Sequence, residues 1–443
     1  MGHYVPHTEA EVAEMLASIG LSSVDELFSA VPEALRLASG GLAIEPGLSE
    51  FDALGRIEAL AARNRAVGRE LVCFAGGGAY DHDVPAVVRR LAFRSEFVTS
   101  YTPYQAEVAQ GVLQALFEYQ TLICRLTGMD VANASLYDAA SACVEAVNLA
   151  VAATGRSTVW VSRGVNPNWR EVMATYARGT GHRLVDVALV DGRTAWPTEA
   201  AGGEPGAVVV QYPNYLGAIE DLEAARRAGA TLIVAVDPVA LGLLRPPSDF
   251  GADVVVGEGQ PFGTPLSFGG PYLGVFACRR EHVRRLPGRL VGETVDAEGR
   301  RAYVTTLRTR EQDIRREKAS SNVCTNQTLI AVACTVQLAW LGTAGLRELA
   351  LQCARGTRYA QEALLRIDGV AAASGAPTLR EFALRTPVTG EVIVERMAEE
   401  GFLAGVALGP DSGYDADLLV AVTEKRTRDE IDAYVAAFEK VVR

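Results

Sequence analysis

Short runs of apolar and β-branched residues alternate with amphipathic segments in the middle of the chain. Two of the amphipathic segments, Trp169–Arg178 and Ile219–Ala228, have the periodicity of helices with one apolar face. Apolar runs that alternate with such helices are typical of a mainly parallel sheet covered on both faces. The pattern predicts an α/β domain with strands at Ser157–Ser162, Leu184–Leu189, Ala207–Tyr212, Thr231–Val236, Asp253–Glu258 and Leu273–Cys278.

The two ends of the chain have other patterns. Near the N-terminus, Thr8 and Glu11 form a capping box ahead of apolar residues at helical spacing, and no strand pattern follows. From about residue 335 onward, helical segments precede two short strand patterns, Phe382–Arg385 and Leu418–Thr423. We therefore predict an N-terminal helical arm (1–65), a large α/β domain (66–334) and a small α+β domain (335–443).

The composition argues against several classes of function. Hydrophobic residues make up 49% of the chain and charged residues 22%, as in an ordinary globular protein. The net charge of -12 argues against a nucleic-acid partner, because phosphate binding needs a basic surface. The sequence has no apolar run of about eighteen residues and no secretion signal at its N-terminus. We expect a cytoplasmic protein without membrane contact.

Cysteine and histidine show no metal-ligand pattern. The seven cysteines are scattered without a C-x-x-C spacing, so neither a disulfide framework nor a zinc cage is indicated. His3 and His7 are four residues apart, but no third ligand lies near them in the sequence. We expect no metal site.

Lysine is scarce in this chain. Of the 42 basic residues, lysine occurs only at Lys318, Lys425 and Lys440. Lys425 and Lys440 lie in charged C-terminal segments that we predict to be helical, where a solvated side chain is the ordinary expectation. Any chemistry that needs a lysine amine therefore has only three candidates.

A loop rich in glycine and proline follows the predicted strand Asp253–Glu258. The stretch Gly257–Pro271 contains eight glycine or proline residues. It lacks the third glycine of a dinucleotide fingerprint, since Phe262 takes that place, and the chain has no Gly-Lys pair for a Walker loop. Ligands of α/β proteins bind at the carboxyl edge of the sheet, where this loop lies.

Two further residues are candidates for cofactor binding. Asp237 directly follows the strand Thr231–Val236, a position from which a carboxylate could pair with the ring nitrogen of pyridoxal phosphate. Ser141 lies near the start of a predicted helix that follows Asp138, where a phosphate could bind. A helix cap or a loop contact would explain either residue as well.

Several long motifs resemble the P-protein of the glycine cleavage system. The resemblance extends over nearly the whole chain, and its length is similar to that of the separate N-terminal-half subunit that some bacteria make. The motifs are His3–Thr8, Ser23–Phe28, Tyr101–Gln105 with Gln110-Gly111, Gln120-Thr121, Leu126–Leu136 and Arg316–Thr325.

The resemblance implies the aspartate-aminotransferase-like fold, fold type I of the pyridoxal-phosphate enzymes. In the catalytic half of that family, a lysine before a Pro-His-Gly-rich loop holds pyridoxal 5'-phosphate as a Schiff base. When the two loops are aligned, Gln260 stands at the lysine position, and a primary amide cannot form that bond. The resemblance thus implies that the partner subunit, and not this chain, holds the cofactor covalently.

The resemblance also implies that the site is shared across a dimer interface. Ser320 and Asn322 are then expected to contact the phosphate of the partner's cofactor, and Tyr101 and Tyr104 to line the partner's substrate channel. Each of the four could instead be a hydrogen-bonded interface residue with no role in the site.

The implied function is that of a glycine dehydrogenase (decarboxylating). Together with a homologous, lysine-bearing subunit, the chain would decarboxylate glycine and transfer the aminomethyl group to the lipoyl arm of the H-protein. A dimer of heterodimers, a heterotetramer, is the expected assembly. Two alternatives stay open: an independent decarboxylase or aminotransferase that uses Lys318, and a purely structural or regulatory subunit.

Overall fold

The computed structural model of the chain describes residues 6–37, 41–42, 44–100, 102–197, 204–228, 231–307, 319, 321–409 and 412–443. The chain forms two compact units, Met1–Arg65 and Ala66–Arg443. The α-helices of the described residues are α1 (Glu9–Ser18), α2 (Glu50–Ala61), α3 (Ala86–Ala92), α4 (Ser95–Val98), α5 (Gln110–Thr127), α6 (Ala139–Thr154), α7 (Pro167–Thr180), α8 (Leu222–Arg227), α9 (Thr328–Leu364), α10 (Gly390–Glu399) and α11 (Arg428–Val442).

Within the described ranges, the strands form one large sheet, one small sheet and three two-stranded pairs. In chain order they are β1 (Val72–Cys73), β2 (Val131–Ala132), β3 (Thr158–Ser162), β4 (Arg183–Val187), β5 (Leu189–Val190), β6 (Arg193–Thr194), β7 (Ala207–Tyr212), β8 (Thr231–Val236), β9 (Val254–Glu258), β10 (Gly274–Cys278), β11 (Leu290–Val295), β12 (Arg301–Thr306), β13 (Ala371–Ala372), β14 (Glu381–Arg385), β15 (Phe402–Leu403), β16 (Val406–Ala407) and β17 (Leu418–Ala421).

The N-terminal unit is helical and has little interior of its own. The predicted capping box is confirmed, since the Glu11 N–H donates to Thr8 Oγ1 at 3.3 Å and the Thr8 N–H to Glu11 Oε2 at 2.7 Å. Among the described residues of this unit, only the apolar side chain of Leu16 is buried. Helix α2 exposes Phe51, Leu54 and other apolar side chains. Burial within this unit therefore contributes little to its stability.

The large sheet confirms the predicted α/β class. Its seven strands have the order β2-β10-β9-β8-β7-β3-β4. Strands β9, β8, β7, β3 and β4 are parallel to one another, and β10 runs antiparallel to both of its neighbours, β2 and β9. The predicted bounds of β7 and β8 are confirmed to the residue.

Helices cover both faces of this sheet. Along β7, Val208 and Val210 pack in the core beneath α5 and the first part of α9. The alternate residues Ala207 and Val209 pack on the other face, beneath α6 and α7. Successive side chains of a strand point to opposite faces, so a strand that is buried on both faces is apolar throughout.

The small sheet, with the order β13-β14-β17-β16, is antiparallel throughout. Its core includes residues of α10, α11 and the last part of α9. Helix α9 changes direction at Gly342, whose φ of 59° is readily adopted only by glycine. The predicted boundary between residues 334 and 335 falls inside α9, which contributes to the cores around both sheets.

Helix α9 is long and apolar enough to cross a membrane, by length and composition only. In the described structure it packs against α3, α5 and α11. A helix that packs in the core of a protein can pass the same test, so the length and composition of α9 are weak evidence for a membrane span.

Candidate functional site

The carboxyl ends of β8 and β9 place Asp237 and Gln260 at the same edge of the large sheet, as parallel strands require. A segment that we call the cleft segment, residues 74–83, runs between this edge and the small sheet. At one end its Phe74 carbonyl accepts the Ala421 N–H at 2.8 Å, and further along Tyr80 contacts Gln260. The cleft between the two sheets is therefore partly filled by the chain itself.

Gln260 is fully buried and uses its whole amide group. Its Nε2 donates to the carbonyl oxygens of Tyr80 at 3.1 Å and Thr264 at 2.8 Å, and its Oε1 accepts the Tyr80 N–H at 3.0 Å. A lysine could replace the donors but could not accept from Tyr80, because an ammonium group has no acceptor. The amide therefore has a structural role in holding the cleft segment to the sheet.

Asp237 has a protein cation as its partner. Its Oδ2 lies 2.6 Å from Arg380 Nη2, and its Oδ1 accepts the Val239 N–H at 3.0 Å. The Arg380 guanidinium, which is almost completely buried, also lies 3.5 Å from the centroid of the Tyr80 ring. The carboxylate that we considered for a ring nitrogen thus already pairs with an arginine from the start of the small sheet.

His82 extends this ion pair into a chain of buried groups. Arginine can only donate, so the contact of Arg380 Nη1 with His82 Nε2 makes Nε2 the acceptor. The proton of a neutral ring then lies on Nδ1, which donates to Glu424 Oε2 at 2.6 Å. Burial raises the pKa of Glu424, but the hydrogen bond from His82 lowers it, and the net pKa is below its ordinary value.

The same tautomer argues against a metal at this place. The ligand atoms of His82, Cys353 and Glu424 lie within 4.8 Å of one another. However, Nδ1 carries the proton and Nε2 faces a guanidinium, so neither ring nitrogen offers a lone pair to a cation. The three groups are arranged for hydrogen bonding.

Two buried carboxylates complete the cleft. Burial raises the pKa of Glu381 to about 7, although the Gly77 N–H at 2.6 Å and the Tyr80 hydroxyl at 2.8 Å donate to it. Burial likewise raises the pKa of Glu258 to about 8. Both groups lose the hydration that favours the charged form, and the hydrogen bonds only partly replace it.

Glu258 occupies the N-terminus of α6, where we considered a phosphate. Its carboxylate accepts the N–H groups of Ala139 at 3.1 Å, Gln260 at 3.0 Å and Leu273 at 2.8 Å. The Ser141 N–H donates to Asp138 Oδ1 at 2.7 Å. Glu258 and Asp138 therefore already accept the Ala139 and Ser141 N–H groups, so these two donors are not free for an incoming phosphate.

Pyridoxal phosphate does not fit this chain's own cleft. Covalent binding needs an amine, and Gln260 has instead an amide whose N–H groups and oxygen are already hydrogen-bonded. The ring nitrogen needs a carboxylate, and Asp237 is paired with Arg380. The phosphate needs free donors, and Glu258 takes the Ala139 N–H. The three requirements fail through three separate protein groups.

A second region joins two of the sequence motifs. We call it the motif edge and define it as Tyr104, Ala134–Tyr137, Arg289 and Ser321–Gln327. The Tyr137 hydroxyl accepts the Cys324 N–H at 2.9 Å, and Ser135 Oγ accepts the Gln327 N–H at 3.2 Å. Residues almost two hundred positions apart are therefore held side by side.

The remaining predicted site residues divide between described and undescribed positions. Tyr104 and Asn322 belong to the motif edge and are exposed, Tyr104 to 52%. Tyr101, Ser320 and Lys318 lie outside the described residues. The structure thus places Tyr104 and Asn322 in the motif edge, whose Leu136 bridges Gly274 next to Glu258 of the cleft.

The two other lysines form ion pairs. Lys425 precedes α11, so our prediction of a helical position for it was wrong, and its Nζ lies 2.6 Å from Asp81 Oδ1. Lys440 lies in α11 as predicted, 3.3 Å from Glu400 Oε2. Each of these two amines is thus paired with a carboxylate other than Asp237.

Sequence reasoning missed Arg380, His82, Glu381 and Glu424. The one signal that could have drawn attention to the cleft segment is the run Gly76-Gly77-Gly78 ahead of Tyr80 and His82, outside any helix or strand pattern. Arg289 was missed too, because nothing in its local sequence marks it.

Comparison with known proteins gives a consistent picture. The family model described as "Glycine cleavage system P-protein" matches residues 2–438. A probable glycine dehydrogenase (decarboxylating) subunit 1 of Moorella thermoacetica is 48% identical, with 99% of each chain covered. A protein of the same description from Chlorobium chlorochromatii is 46% identical, with 98% of each chain covered.

Solved structures agree with the sequence comparison. A crystal structure of glycine decarboxylase (P-protein) of the glycine cleavage system, in inhibitor-bound form, matches with a TM-score of 0.90 and 44% identity over 99% of this chain and all of that chain. An alanine–glyoxylate aminotransferase from Nostoc sp. matches with a TM-score of 0.57 and 15% identity, over 86% of this chain and 97% of that chain. The latter likeness concerns the fold alone.

Proposed function

The chain belongs to the glycine cleavage system P-protein family, and from this premise we propose that it is the lysine-lacking subunit of a two-subunit glycine dehydrogenase (decarboxylating). The observation that carries the proposal is Gln260, a buried amide whose three hydrogen bonds join the sheet edge to the cleft segment. A chain of this family that lacks the attacking amine needs another subunit to supply it.

The proposed partner is a homologous subunit whose lysine holds pyridoxal 5'-phosphate. When bound there, the cofactor supplies the electron-withdrawing ring that stabilises the carbanion left by loss of carbon dioxide. Glycine is the proposed substrate, and the lipoyl arm of the H-protein is the proposed acceptor of the aminomethyl group. We place the assembly, a heterotetramer, in the cytoplasm.

This chain's proposed contribution is made through the motif edge. Tyr104 and Asn322 are exposed there, so a neighbouring subunit could contact them. An exposed aromatic ring can exclude water from a neighbouring channel, and a side-chain amide can donate to a phosphate oxygen. Tyr101 and Ser320 are proposed for the same two roles, although they lie outside the described residues.

The test compares the purified chain, the purified partner and their mixture. We expect the isolated chain to bind no pyridoxal phosphate covalently, so that borohydride reduction leaves no pyridoxyl group on it. The mixture should form a heteromer and exchange glycine carboxyl with carbon dioxide far faster than either subunit alone. A pyridoxyl adduct on Lys318 of the isolated chain would favour an independent enzyme instead.

Two variants test whether this chain contributes residues to the partner's active site or is a purely structural subunit. Tyr104→Ala and Asn322→Ala should form the heteromer normally but lower its rate of glycine–carbon dioxide exchange, because each removes a group that we place against the partner's site. Tyr176→Ala is the matched control, since Tyr176 on α7 is 53% exposed and lies outside the motif edge. Unchanged exchange in the Tyr104 and Asn322 variants would support a structural or regulatory subunit.

A further inference from the structure

The motif edge is held together by buried hydrogen bonds at its base. Ser135 is fully buried and has a φ of 90°, which a residue with a side chain rarely adopts. Its N–H donates to Asn133 Oδ1 at 3.0 Å, and its Oγ accepts the Gln327 N–H at 3.2 Å. Such a conformation is strained, so it persists only where surrounding contacts fix it. The hydrogen bonds of Ser135 thus fix the conformation at the base of the motif edge.

Arg289 links this base to the exposed part of the edge. Its Nη1 donates to Asn326 Oδ1 at 2.7 Å, and its Nη2 lies 3.5 Å from the Cys324 carbonyl oxygen. Asn326 in turn donates from Nδ2 to the Ala134 carbonyl at 2.6 Å. One guanidinium therefore contacts the segment on both sides of Thr325.

The same guanidinium lies over an aromatic ring. The centre of the Arg289 guanidinium is 5.6 Å from the centroid of the Tyr104 ring, within range of a cation–π interaction. Tyr104 is half exposed and belongs to no helix or strand. Arg289 is thereby the contact shared between Tyr104 and the Cys324–Asn326 segment.

Resting on the proposed function, we propose that Arg289 is a positioning residue that fixes Tyr104 and the Cys324–Asn326 segment for the partner's active site. It acts through these groups and is not itself placed against substrate. The planar guanidinium group of Arg289 can donate to two acceptors while its face covers the Tyr104 ring. A lysine provides the charge without that geometry, so Arg289→Lys should not restore the function of the arginine.

The first measurement uses the isolated chain and no partner. In Arg289→Met, amide hydrogen exchange at Cys324, Thr325 and Gln327 should be about tenfold faster or more, because the segment opens more readily without the guanidinium. Arg289→Lys should behave alike, and exchange in the large sheet should stay unchanged. Wild-type exchange rates at these amides in both variants would refute the positioning role.

The second measurement uses the complex with the lysine-bearing subunit. Both Arg289 variants should assemble normally yet lose about tenfold or more in kcat, with a smaller change in KM, since misplaced groups chiefly affect the reacting geometry. The absorbance of the partner's cofactor on glycine addition should change as well. The proposal would be overturned if the rate of glycine–carbon dioxide exchange fell only in proportion to the amount of heteromer formed. A simple interface role would then explain the loss.

Arg428→Met is the matched control. Arg428 lies 5.2 Å from the Tyr359 ring centroid and donates to the Tyr359 hydroxyl at 3.2 Å, so it repeats the stacked arrangement in another part of the protein. Its kinetics should equal those of the wild type. The proposed function fails if the wild-type mixture exchanges glycine carboxyl with carbon dioxide no faster than the partner alone. In that case amide hydrogen exchange in the isolated chain still decides whether Arg289 fixes the Cys324–Asn326 segment.

Discussion

At the scale of single residues, Gln260 shows how one side chain can serve structure where chemistry would need an amine. Its amide donates twice and accepts once within 3.1 Å. We expect Gln260→Lys to destabilise the chain by about 3 kcal/mol or more, because it buries an ammonium and leaves the Tyr80 N–H without an acceptor. Urea unfolding measures the loss, and borohydride reduction should still yield no pyridoxyl adduct.

Gln260→Met is the control for that change. Methionine loses the same hydrogen bonds without bringing a charge, so the difference between the two variants isolates the cost of burying the ammonium. A lysine variant as stable as the methionine variant, or one that captures the cofactor covalently, would contradict our account of the cleft.

Glu258 should make stability depend on pH. Its pKa of about 8 in the folded chain lies above the ordinary value near 4.3 of an unfolded glutamate. The folded state therefore holds a proton that the unfolded state releases, and its stabilising contribution is full below about pH 4 and is lost as pH rises through 8. We expect the stability advantage of the wild type over Glu258→Gln to shrink between pH 5 and pH 9.

The measurement is urea unfolding of both proteins at pH 5, 7 and 9. Glu381, whose pKa of about 7 is raised by burial as well, is present in both and cancels from the comparison. An advantage that grows with pH would mean that the three backbone donors outweigh burial and keep Glu258 ionised.

The sequence revealed one half of the cleft and not the other. Asp237 and Gln260 follow predicted parallel strands, and this placement alone brings them to one sheet edge. Arg380 and His82 meet across 298 positions, and neither belongs to a pattern that predicts a partner. Pairing of this kind depends on how the two sheets pack against each other, which the local spacing of apolar residues does not predict.

At the scale of elements, the strands buried on both faces were the most predictable. The uninterrupted apolar run Ala207–Tyr212 admits few other interpretations. Strand β1 is two residues long and pairs with β15 about 330 positions later, so its sequence holds no signal. Helix α9 was unpredictable as one element, because its turn at Gly342 lets it join the cores of two sheets.

The ion pair between Asp237 and Arg380 joins the end of β8 to the start of β14. We expect Arg380→Met to lower the free energy of unfolding by about 3–5 kcal/mol, since it leaves the largely buried side chain of Asp237 near Glu381 without a cation. Adding Asp237→Asn should recover part of that loss. Urea unfolding of the two single variants and the double variant gives the coupling energy, and simple additivity would contradict a direct pair.

At the scale of the whole molecule, the two compact units should differ in stability. Among its described residues, the unit Met1–Arg65 buries only the apolar side chain of Leu16. We expect a chain that starts at Ala66 to unfold cooperatively, with a midpoint within a few degrees of the full chain, because little apolar area is lost. Calorimetry measures the midpoint.

Removal of α11 provides the contrast. That helix buries Tyr434 and Phe438 in the core of the small sheet, so a chain that ends at Thr427 should lose its cooperative transition. Failure of the chain that starts at Ala66 to fold would refute the view that the second unit is self-sufficient.

The exposed apolar side chains of the first unit point to assembly. Helix α2 exposes Phe51 to 85% and Ile57 to 61%. Apolar residues gathered on one short helix are usually covered by another surface, and the proposed lysine-bearing subunit is the partner we expect for it. The isolated full-length chain should therefore self-associate more than the chain that starts at Ala66, as light scattering would show.

The carboxylate of Glu258 at the start of α6 has a consequence for the life of the subunit in a cell. A protein that binds a ligand only when folded is stabilised by mass action as that ligand accumulates. Here Glu258 already accepts the Ala139 N–H and Arg380 already pairs with Asp237, so we expect no such coupling in the isolated chain. During starvation for the vitamin that yields the coenzyme, the amount of this subunit should hold steady while that of a coenzyme-binding partner declines, leaving unpaired copies ready to capture the partner when the supply returns.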